Sequence, residues 1–172
     1  LGAFALGSNT TASANTAVGG STLAANTTGT NNVALGNTAL DSVESGGTDN
    51  TAIGNAALTA VTTGDFNTAV GSLALDANTT GAGNTGIGYN SLSANTTGAI
   101  NTAVGNASLD ANTEGSNNVA VGDNALGANT TASNNTAVGK SALSANTTGA
   151  NNVAVGSLTL DANTPASKNT AI

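Results

Sequence analysis

The sequence predicts an all-β fold, a parallel β-solenoid or β-roll of about ten stacked coils. Three observations predict it. An Asn-Thr-Ala-Val-Gly motif or close variant begins at Asn15, Asn32, Asn50, Asn67, Asn84, Asn101, Asn118, Asn135, Asn152 and Asn169. The interval is 17 residues throughout, save one of 18 between Asn32 and Asn50. A unit this short can bury its apolar side only against its neighbours, so the units must stack. Glycine also recurs too often for a helix, and no heptad survives. The phase reaches the first residues, since Leu1-Gly2 aligns with Val121-Gly122. Residues 1–172 therefore read as a single repeat array that enters and leaves mid-pattern, as a segment of a longer fibre would.

Within one unit, the motif asparagine is position 0. Position 3 is always Val, Ile or Leu, position 4 is Gly wherever present, and position 8 is always Leu. Position 2 is Ala except at Gly86, and position 10 is Ala except at Ser42. The usual ending is Asn-Thr-Thr-Gly, as in residues 26–29. Threonine and β-branched residues favour a strand over positions 0–3. Positions 1 and 3 then share one face, as do positions 8 and 10. The glycines supply the corners. The unit is expected to hold two short strands and two turns.

Parallel rungs about 4.8 Å apart would make a rod roughly 45 Å long, with like residues laddered above like. The acids at position 9 fit this stacking. Asp41, Asp76, Asp110 and Asp161 stand there, and no two adjacent units both carry one. Neighbouring carboxylates would repel. One rung offers only two large aliphatics and several alanines, a thin core for a free-standing coil. The small residues at positions 2 and 7 would let a second chain approach closely. A homo-oligomer is expected, most simply a trimer around one axis.

Composition excludes several classes of function. Charged residues are 6% and aromatics 2%, the latter confined to Phe4, Phe66 and Tyr89. The net charge is −7, with no Arg and only Lys140 and Lys168 as cations. Such a surface does not neutralise phosphates, so no nucleic-acid partner is expected. An anionic membrane would repel it, and no apolar run approaches the roughly 18 residues of a spanning helix. No Cys is present, which removes disulfides and thiolate chemistry.

No enzyme, metal or cofactor is expected. Without His, both the Ser-His-Asp arrangement and histidine acid–base work are absent. The nine acids are scattered, and most read as solvated turn residues. Asp41 with Glu44 or Asp49 is the one place where carboxylates approach in sequence, but the alternating pattern of a calcium loop is missing. No phosphate-loop lysine follows the glycines. Asn9, Asn26, Asn78, Asn95, Asn129, Asn146 and Asn106 fit the glycosylation triplet; turn and ladder hydrogen bonds are the plainer role for them. Residues 43–49 form the irregular unit, read as a longer loop or a ligand-contacting protrusion. Phe66 and Ile100 occupy position 16, which is usually polar, as plugs or as exposed grips.

Asn-Asn-Val-Ala-Leu-Gly (31–36), Asn-Asn-Val-Ala-Val-Gly (117–122 and 151–156) and Asn-Thr-Ala-Val-Gly (135–139) resemble the head repeats of trimeric autotransporter adhesins of the YadA type. They are also similar to repeats of phage and phage-like tail fibres. The resemblance covers essentially the whole chain. It implies a trimeric, left-handed parallel β-roll displayed outside a cell or on a virion, binding host surfaces or spacing a binding tip. Residues 1–172 carry only the repeat part of that pattern, with no coiled-coil stalk, neck or anchor read among them, and no binding residue carries over. The leading expectation is a structural fibre or adhesin segment on an extracellular cell surface or virion. Its partner would be itself, with a host-surface glycan, protein or matrix as external ligand. The alternative is an ice-binding solenoid, in which stacked threonines order water. The surface-contact candidates are Thr27, Thr28, Thr79, Thr80, Thr96, Thr97, Thr130, Thr131, Thr147 and Thr148. That row is broken at residues 43–45, Glu114 and Pro165.

Overall fold

The computed structural model describes residues 2–42 and 46–172. One parallel sheet runs the length of the molecule, its strands ordered as in the sequence. The strands are β1 (Thr16–Val18), β2 (Val33–Leu35), β3 (Thr51–Ile53), β4 (Thr68–Val70), β5 (Thr85–Ile87), β6 (Thr102–Val104), β7 (Val119–Val121), β8 (Thr136–Val138), β9 (Val153–Val155) and β10 (Thr170–Ala171). Pairing is in register from motif to motif, Thr68 against Thr85 and Thr85 against Thr102. Each coil is one rung of a β-solenoid. The 18-residue interval leaves the register intact, with Val33 opposite Thr51.

The expected second strand at positions 8–10 is absent, and a turn stands there instead. The position-8 leucines lie in the left-handed region, as at Leu75 (φ 53°) and Leu92 (φ 53°). Position 6 does the same, as at Leu73 (φ 59°) and Asn90 (φ 58°). Such a conformation costs a non-glycine residue on the order of 1–3 kcal/mol. Two effects offset it. Burying the leucine contributes roughly 1.5–3 kcal/mol. The turn backbone is also bonded from rung to rung: Leu75 N–H donates to Ser91 O at 3.0 Å, and Ala77 N–H to Ser93 O at 3.1 Å. The turn thus stacks as a ladder of its own.

The two faces of the strand are also the reverse of the expected arrangement. Position 2 points inward, with Ala34, Ala52, Ala69, Ala103, Ala120, Ala137 and Ala154 fully buried. Position 7 lies inside as well, as at Ala57, Ala74, Ser91 and Ser108. Neither row is free to receive another chain. The core is a single file of Leu23, Leu40, Leu58, Leu75, Leu92, Leu109, Leu126 and Leu143 walled by these alanines. Small residues are needed inside because one coil is only a few residues across, and the turn-borne leucine already fills it.

Asparagine completes the interior. Asn67 Nδ2 donates across the coil to Gly81 O at 2.9 Å, and Asn67 Oδ1 accepts the backbone N–H of Asn84 on the next rung at 2.9 Å. The same pair of bonds recurs at Asn84, Asn101, Asn118 and Asn135. A second file runs through position 11, where Asn112 Nδ2 reaches Asn95 Oδ1 at 2.8 Å. Val61 replaces asparagine in that file and is fully buried. Among the described residues, no buried side-chain polar atom lacks a partner.

Candidate interaction surfaces

With alanine turned inward, positions 1 and 3 face out. Position 3 presents a row of aliphatic side chains along the rod. Val18 (42% exposed), Leu35 (46%) and Ile87 (39%) belong to it, Val121, Val138 and Val155 continue it, and Val70 and Val104 are half-buried. Position 1 adds threonine methyls, and at Val33 a further exposed valine. The result is a flat strip about 45 Å long and one three-residue strand wide. Its β-branched content is what a paired sheet face carries, whereas solvated faces alternate with charge. The sequence holds the signal at position 3, where the aliphatic never lapses. The binary pattern does not say which side it faces.

The candidate threonines separate into two rows. Thr79, Thr96, Thr113 and Thr130, at position 12, are half-buried, and their hydroxyls donate to the carbonyls of the next rung at 3.1–3.4 Å. Thr147 lies half-buried in the same row, and so does Thr27. Thr28, Thr80, Thr97, Thr131 and Thr148, at position 13, are exposed, and Thr63 joins them. The outward hydroxyl array is therefore a single file, and Glu114 and Pro165 interrupt it.

The glycosylation candidates fare unequally. Asn26, Asn78, Asn95, Asn129 and Asn146 are fully buried in the position-11 file and inaccessible to a glycosyl donor. Asn9 and Asn106 are exposed. Asn106 Nδ2 donates to Asp123 Oδ1 at 2.9 Å on the next rung. Of the irregular unit, residues 43–45 lie outside the described residues, and so does the pairing of Asp41 with Glu44. The remainder is structural: Gly47 O accepts Asn32 Nδ2 at 2.9 Å, and Asp65 Oδ1 accepts Thr48 N–H at 2.8 Å.

Among the described residues there is no pocket and no group of three acids, histidines or cysteines that would hold a metal. No helix is long and apolar enough to cross a membrane. Desolvation by burial pushes the Asp76 and Asp110 carboxyls up, outweighing the backbone N–H groups that favour the anions. Phe66, Tyr89 and Ile100 stand out in solvent at 65%, 58% and 65% exposure. Phe66 and Ile100 are thus on the surface and are not plugs in the core.

No family model, curated protein or solved structure matches this chain.

Proposed function

We propose that this chain is a non-enzymatic rod segment of a surface-displayed fibre, assembled as a homotrimer through the outer face of its sheet. The outward row of Val, Ile and Leu at position 3, exposed on most rungs and half-buried at Val70 and Val104, carries this reading. A strip of that length and apolar character is what association surfaces present. Three strips turned to a common axis would form the shared core that one coil cannot supply. The resemblance of the repeats to YadA-type heads and tail fibres supports a left-handed, extracellular assembly. In that role the segment spaces or presents regions that bind a host glycan, protein or matrix.

The test places charge on the strip. Ile87→Asp with Val121→Asp should reduce the native mass to one chain while the far-ultraviolet circular dichroism stays that of the parent. An unchanged multimer would overturn the assignment of this face. The ice-binding alternative has lost the hydroxyls of Thr79, Thr96 and Thr130 to intramolecular bonds, and a freezing-point hysteresis measurement addresses it.

A further inference from the structure

The strip has two borders. Position 16 lies immediately before each motif asparagine, and position 5 immediately after each motif glycine. Both rows are outward, and across most rungs both are polar: Asn117 and Asp123 flank β7, Asn134 and Lys140 flank β8, Asn151 and Ser157 flank β9. The centre of the rod differs. On the position-16 border, Phe66 precedes β4, Gly83 precedes β5 and Ile100 precedes β6. The three are held alike, with φ of 60°, 70° and 59°. Each donates its N–H to the rung behind, Phe66 to Thr48 O, Gly83 to Asp65 O and Ile100 to Ala82 O, at 3.0–3.1 Å. Two apolar side chains thus stand about 9.6 Å apart, two rungs, with a missing side chain between them.

Crowding within the chain does not demand that gap. A Cβ on Gly83 would meet nothing nearer than Ile100 Cγ1 at 3.7 Å, an ordinary contact. Asn31, Asn117, Asn134 and Asn151 hold the same left-handed conformation at this position. Gly83 is the one glycine among the position-16 residues of the array. On the opposite border, the one aromatic is Tyr89, which follows β5 after Gly88. Knob and gap therefore flank the same strand, at the same height along the rod.

In a cyclic assembly with its axis along the rod, the position-5 border of one copy meets the position-16 border of the next at equal height. We infer that Tyr89 of one copy seats in the notch at Gly83 of the next, between Phe66 and Ile100, and fixes the axial register of the assembly. The repeats themselves cannot do this. A slip of one rung superposes nearly identical residues, so the strip alone permits many registers. A slip also moves the tyrosine onto Phe66 or Ile100, where a side chain already occupies the space. The polar borders tolerate the aligned register, because Asp49 then faces Asn55, Asp123 faces Asn117 and Lys140 faces Asn134. No charge meets a like charge. An aromatic seated between two apolar side chains gains contact beyond area burial alone.

The inference rests on the homo-oligomer proposed above, and the experiment separates the two. The chain has no native cysteine, so a Gly83→Cys, Tyr89→Cys variant reports on this contact alone. The two positions lie on opposite borders of β5, and the strand between them holds the two thiols apart within one molecule. Under mild oxidation the expected product is a covalent ring of chains on a denaturing gel. The control, Tyr89→Cys with Asn134→Cys, is offset by three rungs and should stay single. Gly83→Phe, a residue already carried at this φ by Phe66, should weaken association at least tenfold without loss of circular dichroism. A multimer that fails to cross-link, or cross-links equally in the control, overturns the lock alone. A parent chain of single mass at all concentrations overturns the assembly and the lock together.

Discussion

Asn67 accepts the backbone N–H of Asn84 through Oδ1 at 2.9 Å while its Nδ2 holds the carbonyl of Gly81 at 2.9 Å. One amide thereby ties the start of a coil to its own end and to the next coil. Asn67→Ala removes both bonds and leaves a buried N–H without its acceptor. The expected loss is about 2–4 kcal/mol, on the scale of unsatisfied buried backbone groups. Chemical denaturation checks it. An exposed Asn106→Ala should fall within about 0.5 kcal/mol of the parent.

The position-4 glycines are fixed by two independent constraints. Gly105 has φ 138°, and a Cβ there would lie 2.5 Å from Gly122 O of the next rung. Gly105→Ala should therefore cost at least about 3 kcal/mol from strain and overpacking combined. Gly83→Ala meets only ordinary contact and should cost about 1 kcal/mol. Thermal unfolding of the two variants side by side gives the comparison.

Asp76 and Asp110 predict an unusual acid response. Desolvation raises both carboxyls above their ordinary value of 3.8. The native state then holds more protons than the unfolded chain in that window, so stability rises as pH falls through it. The penalty on the charged forms is fully present at pH 7 and vanishes below the unfolded value. The thermal midpoint should rise between pH 7 and pH 4, and Asp76→Asn with Asp110→Asn should flatten the rise. A rise that persists in full in the double variant would contradict its assignment to these two carboxyls.

Much of this fold was legible in the repeat. The 17-residue interval dictates which residues stack, and Val18 does lie against Leu35 in register. The invariant leucine at position 8 is the core, as at Leu75 and Leu92. The direction of the strand was not legible. In Thr68-Ala69-Val70 both faces carry an apolar residue, so period-two patterning gives no preference between them. What decides it is Leu75, which arrives from a left-handed turn that leucine does not ordinarily favour. Its side chain fills the coil and leaves room only for alanine opposite. The surface candidates divide into two rows that the sequence does not separate: Thr28, Thr80, Thr97, Thr131 and Thr148 are exposed, and their neighbours at position 12 are half-buried. The eye goes to the Asn-Thr-Thr row, yet Thr96 and Thr130 spend their hydroxyls on neighbouring carbonyls. The aliphatic row reads as core until the structure turns it outward. Gly83 opposite Tyr89 is visible in the sequence only once the two are known to flank one strand.

The central claim is that the outward strip at position 3 is covered by further copies of this chain. Native molar mass by light scattering, across a concentration series, tests it most directly. Three chain masses, each 16.1 kDa, are the predicted result. A mass of one chain at every concentration would contradict it and leave the Val, Ile and Leu row unexplained.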